Sequence, residues 1–176
     1  MNLLQLSYLI DIDITFLYTH QDKFSEVNIC GMCESIFVAL GGYLTIEKVH
    51  KIFYDKVFSH DWLKQYFVNQ DQSLIEKQQT NFMAEKMGGP KNYVGKLPRQ
   101  THIHMYITEE LFNLRHELLK NSLEEAKVPR DLIERWLRID YAFKRLIVDE
   151  SLETFHASYT FKRRIIVPNP SKDQSS

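Results

Sequence analysis

The feature that most constrains this chain is an interruption, MGGPKNYVGKLPRQTHIHMY, at residues 87–106. On both sides of it apolar residues recur at helical spacing. Inside it, paired glycines, a third glycine and two prolines forbid a continuous helix. An irregular link of that length is uncommon inside a compact helical domain unless it does something. It also carries two histidines two residues apart, His102 and His104. A loop histidine is more often solvated or hydrogen-bonded than a ligand. A His-x-His pair with scattered carboxylates could hold a metal, yet no HExxH, second CxxC or Asp-rich loop completes such a site. The residues alone leave both readings open.

The flanking segments predict an all-α architecture of four substantial helices. ESIFVALGG gives a short helix stopped by Gly41 and Gly42. TIEKVHKIFYDKVFSHD sets Ile46, Val49, Phe53 and Val57 along one stripe with Tyr54 beside it. DWLKQYFVN is a helical turn or two. SLIEKQQTNFMAEKM carries Leu74, Ile75, Phe82 and Met83 on a face broken by Gln78 and Gln79, and ends at Gly88, Gly89 and Pro90. Thr108 caps a helix holding Leu111, Phe112, Leu118, Leu119 and Leu123. Pro129 opens a last helix, read as continuous through Val148, that buries Leu132, Ile133, Trp136, Leu137 and Phe143.

A chain of 176 residues with 44% apolar and 26% charged side chains suits one domain with a normal core. A formal net charge of -1 gives no electrostatic reason to expect nucleic acid as a partner. The longest apolar runs fall well short of the roughly 18 residues that span a bilayer, so no membrane association is expected. Residues 1–20 imitate a signal peptide only weakly: they lack a basic start, and Asp11 and Asp13 interrupt the apolar section. A cytoplasmic location is expected. Cys30 and Cys33 form a lone CxxC with no following histidine, which fits neither covalent haem attachment nor a four-ligand zinc site. Residues 1–33 read as an extension, with LSYLIDIDITFLY patterned as a strand and Met32 as an alternative start. The domain spans 34–149, and 150–176 reads as a basic, then disordered, solvated tail.

In order, SIFVALGGYLTIEKVHKIFYDKV, HDWLKQYF, NFMAEKMGGPKNYVGKLPRQTH, ITEELF and AKVPRDLI strongly resemble the truncated haemoglobins, the short two-over-two globins, group I best. The match runs from about residue 35 to about 148, with the family's spacing between motifs. The resemblance implies a globin-like, two-over-two helical sandwich around haem b. It picks His102 as the proximal iron ligand, five residues before the Ile-Thr that opens the next helix. A neutral imidazole nitrogen is a good axial ligand. Tyr54 and Gln79 match the distal pair, whose O–H and N–H would hold a bound ligand. Phe67 matches the phenylalanine wedged against the porphyrin. Phe53, Leu74, Ile75, Phe82 and Met83 would complete the apolar walls, and Tyr93 and Arg99 would reach the propionates.

The chain departs from the family pattern in three places. Ile75 takes a distal position where many relatives carry glutamine, leucine or another residue. Gln78 stands where some carry a histidine that closes onto the iron, so no internal sixth ligand is expected. Arg115 stands where an apolar residue is usual, which implies either a side chain snorkelling to solvent or a shifted helix register. The function implied is reversible binding of dioxygen and other diatomic gases at a five-coordinate iron. Ligand chemistry or sensing is favoured over bulk transport, and the enzyme activity the resemblance implies is nitric oxide detoxification by bound dioxygen, with an unnamed reductase resetting the ferric iron. The rivals are a haem-free globin-like sensor or interaction domain, and a non-haem metal protein using His102 and His104 together.

Overall fold

The computed structural model describes residues 34–158 and 164–172. The readings made for residues 1–33, including the CxxC pair, lie outside these. The helices are α1 (Ile36–Ala39), α2 (Tyr43–Ser59), α3 (Gln72–Lys86), α4 (Pro98–His102), α5 (Glu109–Glu125), α6 (Arg130–Ala142), α7 (Lys144–Ile147) and α8 (Leu152–Ser158). A 3₁₀ turn, Leu63–Phe67, links α2 to α3. Helix α2 packs on both α3 and α5, and α5 packs on α6, so two helix pairs lie one over the other. None of the helices described is long and apolar enough to cross a membrane.

Local chemistry sets the helix starts. Asp71 accepts a hydrogen bond from the Leu74 N–H at 3.1 Å and Thr108 one from the Leu111 N–H at 3.2 Å, each satisfying a donor the helix cannot pair internally. Glu109 and Glu110 add negative charge at the positive end of α5. Helix α3 stops at Gly88, whose φ of +85° is left-handed backbone open to glycine at little cost. Gly89 is needed for a different reason. A Cβ there would lie 2.6 Å from the Phe37 ring and 2.8 Å from the Ala84 carbonyl oxygen. The glycine pair thus lets α1 press against the end of α3.

The α2 stripe buries Ile46, Val49, Phe53 and Val57 as its spacing predicts, with His50 and Tyr54 buried beside them. Trp136, Phe53, Met83, Leu119 and Leu123 form the centre of the core. The last helix differs from expectation. It breaks at Phe143, where the backbone N–H bonds the Asp140 carbonyl, and α7 then packs against the short α4.

The segment after residue 150, expected to be a solvated tail, contains α8 with Phe155 fully buried. Beyond it, Ile165 forms a parallel bridge with Met105: its N–H bonds the His104 carbonyl and its carbonyl accepts from the Tyr106 N–H, both at 2.8 Å. The Trp62 indole N–H donates to the Val167 carbonyl at 3.0 Å. These residues form a strap across the chain just after α4.

Candidate functional site

Between the helix pairs lies a cavity of about 560 Å³, within the range of small-molecule and cofactor sites. Phe53, Tyr54 and Val57 of α2 line it, as do Leu74, Ile75, Gln78 and Gln79 of α3. The irregular link adds Tyr93, His102 and His104, and α5 adds Leu111, Phe112 and Arg115. The interruption that broke the helical pattern therefore supplies one wall, and α4 is the short helix within it.

Helix α4 begins with Pro98 at its first turn and ends at His102. His102 is half-buried, and its Nδ1 lies 2.7 Å from the Pro98 carbonyl oxygen. A carbonyl can only accept, so Nδ1 carries the hydrogen and Nε2 keeps its lone pair. Burial pushes the pKa of this imidazole below the usual histidine value, against the pull of the Pro98 carbonyl. The ring is thus a neutral, oriented nitrogen donor.

Tyr54 is buried and its ring packs edge-on against Phe53 at 5.0 Å and Phe67 at 6.2 Å. Its hydroxyl bonds no other described residue, yet it borders the cavity. Burial pushes its pKa up to about 12, so the phenol stays a protonated donor. Gln79, half-buried, lines the same cavity without a hydrogen-bond partner among the described residues. Tyr66, by contrast, spends its hydroxyl on the Tyr106 carbonyl at 2.9 Å and braces the wall.

Of the remaining residues expected from the sequence, Phe53, Phe67, Leu74, Ile75 and Tyr93 line the cavity. Phe82 and Met83 are buried but do not line it; Phe82 packs edge-on to Tyr93 at 5.0 Å, one layer behind. Arg99 is exposed and also does not line it. The hydroxyl of Tyr93 is engaged with the Lys96 carbonyl at 2.6 Å. Arg115 takes neither path expected of it. It lines the cavity from α5, its guanidinium 5.0 Å from the Phe53 ring centre, and Nη1 donates to both carboxylate oxygens of buried Asp140.

Three groups near the site went unnoticed in the sequence. His116 Nδ1 lies 2.9 Å from Asp140 Oδ2, completing a cluster with Arg115. Burial alone would raise the Asp140 carboxyl, but Arg115 and His116 outweigh it and hold the group below its ordinary value. His50 is fully buried, 2.8 Å from the Thr80 hydroxyl, and burial pushes its pKa down to about 3. A signal was available. Arg115 falls on the α5 stripe between Leu111 and Leu119, and Asp140 falls one turn after Trp136 on α6. Opposite charges on the buried stripes of consecutive helices point to an internal ion pair.

Residues 35–147 match the family described as bacterial-like globin. The chain is 32% identical to the group 1 truncated haemoglobin of Tetrahymena thermophila, over 56% of this chain and 82% of that one. This chain is a truncated haemoglobin. The crystal structure of the truncated haemoglobin from Tetrahymena pyriformis, in its Fe(III) form, superposes with a TM-score of 0.62 at 27% identity, covering 66% of this chain and all of that one. The 2/2 haemoglobin of Synechococcus, solved in the cyanomet state with covalently attached haem, matches with a TM-score of 0.58 at 28% identity, over 61% of this chain and 91% of that one. As a truncated haemoglobin the chain is a haem-binding globin of all-helical, two-over-two fold, group 1-like. The cavity suits that cofactor: aromatic and aliphatic walls, one neutral imidazole with a free ring nitrogen, and a buried phenol without a protein acceptor.

Proposed function

We propose that this truncated haemoglobin holds haem through His102 and binds dioxygen and other diatomic gases under the donors of Tyr54 and Gln79. Haem, when bound, supplies the axial coordination and the redox chemistry. The chain supplies the rest. Pro98 fixes which ring nitrogen of His102 stays available. Tyr54 holds its proton at the cavity wall, ready for an acceptor the protein itself does not provide. Phe53, Phe67 and Ile75 form an apolar wall with Leu74 at its exposed rim, and Tyr93 borders the cavity beside Lys96.

The single observation that carries this reading is the Tyr54 hydroxyl, protonated, open to the cavity and without an acceptor among the described residues. A ligand with an acceptor atom in the cavity takes up this donor at the expense of a bond to solvent, which retains the ligand. Such a donor favours slow release over delivery, so ligand chemistry or sensing fits better than bulk transport. With nitric oxide as co-substrate, dioxygen, nitric oxide and one electron yield nitrate, so that activity requires a reductase as partner. The cofactor is read as non-covalent haem b, since the CGMC pair lacks the histidine of a covalent attachment motif.

The test is an absorption spectrum of the protein reconstituted with haemin, then reduced and exposed to carbon monoxide. A Soret band that shifts with carbon monoxide is expected, lost in His102→Ala and kept in His104→Ala. Equal loss in both variants overturns the axial assignment. Extraction into acidified acetone separates non-covalent haem from the covalent attachment seen in the Synechococcus relative.

A further inference from the structure

Every charged side chain that lines the cavity, among the described residues, is basic: Lys96 and Arg115, with no aspartate or glutamate. Lys96 is exposed, whereas the Arg115 side chain is about one quarter exposed and held from two sides. Its stem leads to a guanidinium over the Phe53 ring, and Nη1 is spent on Asp140, which His116 braces in turn. A guanidinium carries five N–H donors. Those on Nε and Nη2 have no acceptor among the described residues, and neither nitrogen is sealed from the cavity or solvent. Asp140 is 5% exposed and does not line the cavity, so the ion pair turns its positive end inward.

We propose that Arg115 makes this cavity selective for small anionic ligands, the class of azide, cyanide and nitrite, by donating to them from a fixed position. The proposal deepens the haem reading and rests on it where the anion's second contact is ferric iron. An oriented cation with spare donors on a mostly apolar wall attracts an anion and leaves a neutral diatomic almost indifferent. Asp140 matters because it stops Arg115 from swinging out to solvent along its own stem.

The experiment compares wild type with Arg115→Gln and with the double variant Arg115→Met/Asp140→Leu, which removes both charges so that no carboxylate is left buried and unpaired. Azide affinity of the ferric protein is expected to fall about tenfold or more in both variants, the loss of one charge-assisted hydrogen bond. Carbon monoxide affinity of the ferrous protein should stay within about threefold of wild type. Unchanged azide affinity, or azide and carbon monoxide weakening in step, overturns the proposal. A second arm uses the cofactor-free protein and two fluorescent probes, anionic anilinonaphthalene sulfonate and uncharged Nile red. Preference for the anionic probe should disappear in both variants, and its persistence overturns the proposal. If wild type takes up no haemin, the haem reading fails by itself and the probe arm alone decides the role of Arg115.

Discussion

His102 and Pro98, one turn apart in α4, are joined through the ring Nδ1 and the backbone carbonyl at 2.7 Å. The short helix therefore orients its own last side chain with no help from a second element. Lengthening the link by one residue between them should break this bond while leaving the core intact. We expect such an insertion to weaken haemin retention about tenfold or more, checked by competition with an apoglobin, with unfolding by urea nearly unchanged.

Tyr54→Phe should remove the cavity donor and little else, because the ring contacts with Phe53 and Phe67 remain. Stability should stay within about 0.5 kcal/mol of wild type or rise slightly, since no protein hydrogen bond is lost. Oxygen release from the ferrous protein, followed by stopped-flow, should accelerate about tenfold or more. Gln79→Leu should have a smaller effect in the same direction.

Stability should fall with acid through burial of histidine. The His50 pKa drops from 6.5 to about 3 on folding, and burial also lowers that of His102. Between these limits the unfolded chain binds a proton that the folded chain refuses, so stability is full above about pH 6.5 and decreases as pH falls towards 3. Each such group contributes a slope of roughly 1.4 kcal/mol per pH unit at most. His50→Gln should flatten the slope of stability against pH, measured by urea unfolding from pH 7 to pH 4, without abolishing it. An unchanged slope would mean that His50 is solvated when folded.

Gly89→Ala places a methyl group 2.6 Å from Phe37 and 2.8 Å from the Ala84 carbonyl oxygen. The ring can move, but the carbonyl belongs to α3 and cannot. We expect a loss of about 1–3 kcal/mol in urea unfolding, partly recovered in the Phe37→Leu background.

Much of this was legible in the chain itself. The stripes of α2 and α5 follow from spacing, whereas on α3 only Phe82 and Met83 of the expected face are buried and Leu74 is exposed. The glycine pairs mark the ends of α1 and α3 because left-handed or crowded backbone leaves no other residue comfortable. The order of motifs singled out His102, Tyr54 and Gln79, and all three border one cavity. What spacing could not give was partnership across the fold. Arg115 was read by itself as a misfit, because its meaning depends on Asp140, a full helix away. The break at Phe143 and the contacts of Ile165 were likewise invisible, since both arise from packing against distant elements rather than from local propensity.

Removing residues 159–176 tests the strap. The bridge at Met105, the Trp62 bond to Val167 and the Lys172 pair with Glu110 all disappear together. A loss of about 1–3 kcal/mol in stability and faster haem escape are expected, with Soret position unchanged.

Because the Tyr106 N–H and the His104 carbonyl both bond Ile165, the ledge just after His102 takes its shape only once residue 165 has been made and has docked. The helix pairs α2–α3 and α5–α6 carry no such delay. The wall that carries His102 is thus finished by a later stretch of sequence than any of the walls it faces.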